Sequence, residues 1–186
     1  MARAGLDTEA VVAAAAQLAD ADGLEAVTLA RLAAILGVRS PSLYAHVGGL
    51  ADLRRRVAVR GARELAAQLQ TAVAGRSRGD ALASLADAYR AYARAHPGTY
   101  AALQAAPAAD DLEATAAASD VVDVVLAVLR GYGLDGDEAI HATRIIRAAL
   151  HGFVTLETGG GFGIPLALDD SYARLVDVLD RGLSTP

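Results

Sequence analysis

The sequence predicts an all-α fold: an N-terminal three-helix head joined by a long helix to a helical body. Three observations carry this. Apolar residues recur at helical spacing in segment after segment, as at Leu53, Val57, Leu65 and Leu69. Alanine supplies much of the 54% hydrophobic content, and alanine favours helix over strand. No stretch alternates convincingly enough for a strand, and glycine or proline closes the helical runs. The 186 residues allow one large domain or two small ones, with ample apolar material for a core.

The first helix is expected over residues 7–21. Asp7 suits its N-cap, Glu9 complements the dipole in its first turn, and Gly23 ends it. Val11, Ala15 and Leu18 line its inner face. The stretch 28–47 then reads as two short helices around a tight turn. Thr28 caps the first of them, whose apolar face is Leu29, Leu32, Ala33 and Leu36. Gly37 stops it, because glycine takes the left-handed conformation without steric cost. Ser40 is expected to cap the next helix, over 41–47, with Pro41 at its first position. Leu43 and Val47 point inward, which leaves Ser42, Tyr44 and His46 largely on the outer face. A helix, a glycine turn and a second helix with a polar outer face is the helix-turn-helix pattern. A helix N-terminus such as that at Thr28 is also a ready phosphate site.

A long helix is expected over 50–73, with Arg54, Arg55, Arg56 and Arg60 near its start. Such a cluster is usually a solvated face, but beside a helix-turn-helix backbone phosphate becomes a competing partner for one or two of them. The loop 75–79 follows, and Asp80 is expected to cap a helix with the stripe Leu82, Leu85, Tyr89, Tyr92 and His96. Pro97 and Gly98 read as a break before a short helix over 99–105. A helix within 110–132 is apolar nearly all round from Val121 to Leu129, as for a buried central helix. Two further helices are expected over 135–158 and 169–183. The last has Tyr172, Leu175, Val176, Leu179 and Leu183 on one face.

Composition excludes several classes. The absence of cysteine rules out disulfides, thiol nucleophiles and thiolate metal sites. It also suits a cytoplasmic protein. The N-terminal apolar run is interrupted by Asp7 and Glu9, so it is not read as a signal peptide, and no uncharged run is long enough to cross a bilayer. Net charge is −5, yet residues 1–60 carry seven arginines against six acids, a local +1. A basic-leaning head on an acidic body suits a DNA-facing head. All the basic residues are arginine.

The segment Val27-Thr-Leu-Ala-Arg-Leu-Ala-Ala-Ile-Leu-Gly-Val-Arg-Ser-Pro-Ser-Leu-Tyr-Ala-His46 resembles the DNA-binding domain of the tetracycline-repressor (TetR) family of bacterial regulators. The match rests on the spacing from Thr28 to Tyr44 and on the Leu-Tyr-x-His ending. The second half resembles one C-terminal subgroup through Arg147-Ala-Ala-Leu-His-Gly-Phe-Val-Thr-Leu-Glu157, the glycine loop with Phe162 and Pro165, and Asp170-Ser-Tyr172. The resemblance implies a homodimeric repressor that binds a double-stranded DNA operator through residues 1–50. Residues 51–186 would bind an unidentified small-molecule effector and dimerise through the last two helices. Carried onto this chain, Arg39 and Ser42 approach base edges, Thr28, Tyr44 and His46 mostly contact phosphates, and Ser40 belongs to the same DNA-binding set. Tyr92, Tyr100, Leu103 and His151 are the expected ligand-binding residues. One departure stands out: after Val47 the chain lacks both the aromatic residue and the lysine that many relatives carry. Arg54, Arg55 and Arg56 are candidates to replace that phosphate contact. The segments 75–79 and 97–98 are expected to absorb ligand-driven motion.

Competing readings are weaker. Glu138 and His141 have the spacing of a di-iron half-site, but no second copy exists. The glycine run 159–163 follows a helix and lacks Gly-Lys-Ser/Thr, so it is read as a connection rather than a phosphate loop. His141, Arg144, Arg147 and His151 lie along one side of their helix, facing either a ligand pocket or a dimer interface. No catalytic constellation is found, no metal site and no cofactor are expected, and the chain is not read as an enzyme. The alternative from another class is a ligand-binding helical protein or enzyme without specific DNA binding.

Overall fold

The computed structural model describes residues 6–184, and among these all regular structure is helical. Arg3, part of the N-terminal charge pattern, lies outside them. The helices are α1 (Thr8–Asp22), α2 (Leu29–Leu36), α3 (Ser40–Leu43), α4 (Leu50–Val73), α5 (Arg78–Ala95), α6 (Pro97–Ala102), α7 (Leu112–Arg130), α8 (Gly136–Thr158) and α9 (Leu168–Ser184). A single 3-10 turn, Leu24–Ala26, joins α1 to α2. Packing divides the chain into two compact units. One joins the residues up to Arg63 with Ala95–Ala118; the other joins Glu64–Arg94 with the residues from Ser119 on. These units follow packing, whereas the expected boundary after residue 50 follows function.

In the first unit, α1 to α3 close over a core of Val11, Ala15, Leu18, Val27, Leu32 and Leu43, joined by Leu53 and Val57 of α4. Asp7 caps α1 by accepting the Ala10 amide, as expected. Three other expectations are corrected. Ser40 is not a cap: Arg39 holds that position, and Ser40 is the first helical residue. Asp80 does not cap α5, which begins two residues earlier. Pro97 and Gly98 are not a loop but open α6, so the short helix spans 97–102 instead of 99–105. Proline is tolerated there because its position lacks an intrahelical donor role.

Gly98 is the tightest point of this unit. A Cβ at this position would lie 1.9 Å from the Ala19 carbonyl oxygen of α1. Around that contact, the Asp20 carboxylate of α1 accepts the Thr99 amide at 2.7 Å and pairs with His96 Nδ1 at 2.9 Å. His96 therefore leaves the α5 stripe, where it was expected, to fasten α6 onto α1. The segment 97–98 is thus part of the packing of α6 on α1. At 75–79, only residues 74–77 lie outside helix, with Gly75 in the left-handed region.

Arg55 ties α4 to the start of α7. Its guanidinium donates to both Asp111 oxygens and to Glu113. Asp111 also caps α7 through the Ala114 amide. Arg55 first, and then that amide, hold the Asp111 carboxyl down at a pKa of about 2. A carboxyl depressed in the folded state stabilises fully above its unfolded value, about 4, and loses that contribution as pH falls towards 2. We therefore expect Arg55→Gln to lower the melting temperature at neutral pH and to flatten its fall between about pH 4 and 2. Circular-dichroism melts across that range would show it; an unchanged fall would contradict the pairing.

In the second unit, the bidentate Arg90–Glu157 pair joins α5 to α8, with both side chains nearly enclosed. Arg90 also lies 4.6 Å from the Tyr172 ring centre, and the Tyr172 hydroxyl donates to the buried Ala86 carbonyl. Tyr172, Val176 and Leu179 are buried on the inner side of α9, as the stripe predicts. The 121–129 segment of α7 is not enclosed all round. Val125, Val128 and Leu129 are buried, while the others retain exposure. Among the described residues no helix is long and apolar enough to cross a membrane.

Candidate nucleic-acid interface

The helix-turn-helix is built by local rules. Thr28 is extended, and its hydroxyl oxygen accepts the Arg31 amide at 3.2 Å, which leaves the hydroxyl proton free to donate outward. Gly37 turns the chain in the left-handed conformation that other residues adopt at a cost. Its amide reaches the Ala33 and Ala34 carbonyls, and the Val38 amide bonds Ala33 at 3.0 Å, satisfying the end of α2. The element after the turn is shorter than expected. Regular helix covers only Ser40–Leu43, and 44–46 continue as turns. The His46 and Val47 amides both reach the Leu43 carbonyl, so the side chains of 39–47 still radiate as from a helix.

That radiation separates two faces. Leu43 and Val47 are 0% and 3% exposed and anchor the segment. Ser42 is exposed, Tyr44 is 62% exposed, and His46 is half-buried. The Tyr44 ring contributes nothing to the core and lies in solvent on the same side as Ser42. Thr28 and Arg39 are exposed, while Ser40 is partly covered. Among the described residues no carboxylate pairs with Arg39, whereas Arg31 is held by Asp22. Arg39 thus presents an uncommitted guanidinium beside the exposed Ser42.

The arginines of α4 are different. Arg54 binds Glu25 at 3.1 Å and the Leu24 carbonyl at 3.3 Å. Arg55 is held by Asp111 and Glu113, and Arg56 by Asp52 at 2.9 Å. Arg60 lies 4.0 Å from Glu9. Each of Arg54, Arg55 and Arg56 is thus already paired with a carboxylate, and a phosphate contact by any of them would exchange one ionic partner for another. Asp52 moreover bonds the Gly48 amide at 2.8 Å, at the point where that lysine would follow. Partial burial opposes its charge, but the Gly48 amide and Arg56 outweigh this and keep its carboxyl below the usual range. An ionised carboxylate, neutralised by Arg56, therefore sits at the start of α4. We expect Arg56→Ala to leave the salt dependence of DNA binding unchanged, because each cation that neutralises a phosphate adds about 0.9 to the slope of log K against log salt.

The four expected ligand residues are not brought to one place within either unit. Tyr100 is buried in the first unit, and Leu103 lines a cavity of about 490 Å³ there. Tyr92, 1% exposed, and the half-buried His151 belong to the second unit. Among the described residues no cluster of His, Cys, Asp or Glu is arranged to hold a metal ion. The sequence reading missed the α1–α6 clamp and the Asp111 anchor; the only signal for the clamp was Gly98, a glycine one residue inside a helix.

Comparison with known proteins places this geometry. The family model "Tetracyclin repressor-like, C-terminal domain" matches residues 82–179. An uncharacterised HTH-type transcriptional regulator of Mycobacterium tuberculosis is 44% identical over 158 residues, which is 84% of this chain and 72% of that protein. The HTH-type regulator YobS of Bacillus subtilis is 39% identical over 83% of this chain and 80% of its own. Among solved structures, a Rhodococcus sp. RHA1 protein of unknown function superposes with a TM-score of 0.82 at 24% identity, covering 98% of each chain. The TetR-Q116A variant from Acinetobacter baumannii AYE, solved in complex with minocycline, gives 0.73 at 19% identity, covering 96% of each. The chain therefore belongs to the tetracycline-repressor-like family and is a DNA-binding transcriptional regulator, not an enzyme.

Proposed function

We propose that the protein is a homodimeric repressor that leaves its operator when a small molecule binds. The observation that carries the DNA-reading part is the exposed face of Thr28, Arg39, Ser42 and Tyr44 over the buried anchors Leu43 and Val47. Arg39 and Ser42 read base edges; Thr28, Tyr44 and His46 fix the register on phosphates, and Ser40 lines the same face. Residues 1–50 carry this role and 51–186 the remainder. Such a regulator works in the cytoplasm, where the chromosome lies.

The dimer is supported by a stripe on α8. Ile145, Gly152 and Leu156 fall within about 20° of one line along the helix. Ile145 is 60% and Leu156 50% exposed, and Val178 of α9 is 61% exposed. A Cβ on Gly152 would meet no atom within 4 Å in a single chain. Glycine inside a helix costs about 0.5–1 kcal/mol against alanine, and close approach of a second helix offsets that cost. Ile145→Arg with Val178→Arg is expected to shift the protein from dimer to monomer in sedimentation velocity; an unchanged dimer would remove α8 and α9 from the interface.

Two reading segments on a symmetric dimer must meet successive major grooves, about 34 Å apart. A ligand releases DNA by as much as it prefers the shape that misses this spacing. The direct test of the reading is selection of bound fragments from random duplex DNA by the full chain. A pseudo-palindrome is expected. Recovery of unrelated fragments would favour a ligand-binding protein without specific DNA binding.

A further inference from the structure

The cavity of about 490 Å³ lies wholly within the first unit, between α4, α6 and the segment leading into α7. Its walls are mostly alanine, together with Leu24, Val59, Leu103 and Pro107. Three charged side chains reach the walls: Arg54, Arg55 and Asp111. All three are already engaged. Arg55 donates to both Asp111 oxygens and to Glu113, and Arg63 also donates to Glu113. Arg54 donates to Glu25 and to the Leu24 carbonyl. Arg54, Arg55 and Arg63 thus stand against Glu25, Asp111 and Glu113, and the charges cancel. Arg54 Nε has no acceptor, but it is enclosed by protein and beyond the reach of anything in the cavity. A charged occupant would therefore either break one of these pairs or leave water without a counter-charge, and both are costly. An uncharged apolar occupant breaks none of them and covers alanine and leucine surface that water otherwise wets.

We propose that this cavity seats an uncharged, largely hydrocarbon molecule, lying along Ala58, Ala62 and Leu103. The volume is within the usual range of small-molecule sites. The seat rests on the reading of the protein as ligand-responsive and names the class of molecule to which it responds. Its walls also reach the elements that hold the helix-turn-helix. Leu24 belongs to the 3-10 turn just ahead of the Thr28 cap. Ala101 and Ala102 belong to α6, whose Thr99 amide is held by Asp20 of α1. An occupant in contact with both therefore bears on the seating of the DNA face, and it can release DNA by as much as it prefers the walls in the unbound arrangement.

The test is calorimetric titration of the full chain with three probes of one chain length: octanol, sodium octanoate and octyltrimethylammonium. Octanol should saturate one site per chain. The anion and the cation should each bind at least ten-fold more weakly. Ala58→Phe, which fills the cavity, and Leu103→Asp, which sets an unpaired carboxylate in its wall, should each weaken octanol at least ten-fold, with helical content by circular dichroism unchanged. The second variant keeps the test decisive if the first does not fold. No octanol binding, binding of either charged probe as tight as that of octanol, or octanol binding retained by both variants would overturn the seat. DNA release is read separately, on a duplex selected by the protein itself. If octanol binds as described but leaves DNA affinity unchanged, the seat stands and the ligand-response reading falls. If another molecule releases DNA equally from the parent and from Ala58→Phe, the seat falls and the ligand-response reading stands.

Discussion

Arg39→Ala is expected to weaken operator binding by about 10- to 100-fold and to relax sequence preference at one position of each half-site. The magnitude follows from the loss of a guanidinium contact to a base edge, worth about 1–3 kcal/mol. Arg39 is singled out by its freedom: it is exposed, and among the described residues it forms no ion pair, unlike Arg31, Arg54, Arg55 and Arg56. It does not have to leave a carboxylate to reach DNA. Tyr44→Ala should act differently. If its hydroxyl contacts phosphate, affinity falls for every sequence by a similar factor and preference is kept. Fluorescence anisotropy on the selected duplex and on single-base variants of it separates the two patterns. Neither side chain supports the core, since Leu43 and Val47 do that, so melting temperatures should stay within about 1–2 °C of the parent.

Gly98→Ala is expected to be the most destabilising single-methyl change in the first unit. Its Cβ would fall 1.9 Å from a backbone carbonyl oxygen, which has no rotamer by which to move aside. Relief requires α6 to lift from α1, and that loosens the Asp20 bonds to Thr99 and His96 together. The cost should exceed about 3 kcal/mol, the upper end of ordinary overpacking. For a chain of this length that corresponds to a fall in melting temperature of about 6–12 °C. DNA affinity should fall with it at temperatures near the transition. A variant that melts like the parent would mean that α6 does not sit on α1 as described.

Local chemistry made most of the fold legible. Asp7, Thr28 and Gly37 act through bonds within a few residues, so their cap and turn roles can be read from spacing. The long helix over 50–73 and the inner stripe of the last helix follow from period alone. The errors lie where a distant partner decides. Pro97 and Gly98 spell a break, yet the glycine is small so that α6 can touch Ala19. His96 continues an apolar stripe in sequence, but Asp20, 76 residues away, takes it. Arg54 and Arg55 are held by Glu25 and Asp111, 29 and 56 residues away, pairings that no local spacing announces. The outer face of the helix-turn-helix was legible because Leu43 and Val47 fix its orientation within five residues. The cavity was not, because alanine-rich walls carry no periodic signature of what they enclose.

The central claim is that the face carrying Arg39, Ser42 and Tyr44 reads DNA sequence. The most direct measurement is the affinity of the full chain, and of Arg39→Ala/Ser42→Ala, for the selected duplex and a scrambled one at a fixed salt concentration. The parent should prefer the selected duplex by about 10³-fold or more, and the double variant should lose most of that preference while keeping its binding to scrambled DNA. Equal affinity of the parent for both duplexes, or undiminished preference in the double variant, would contradict it.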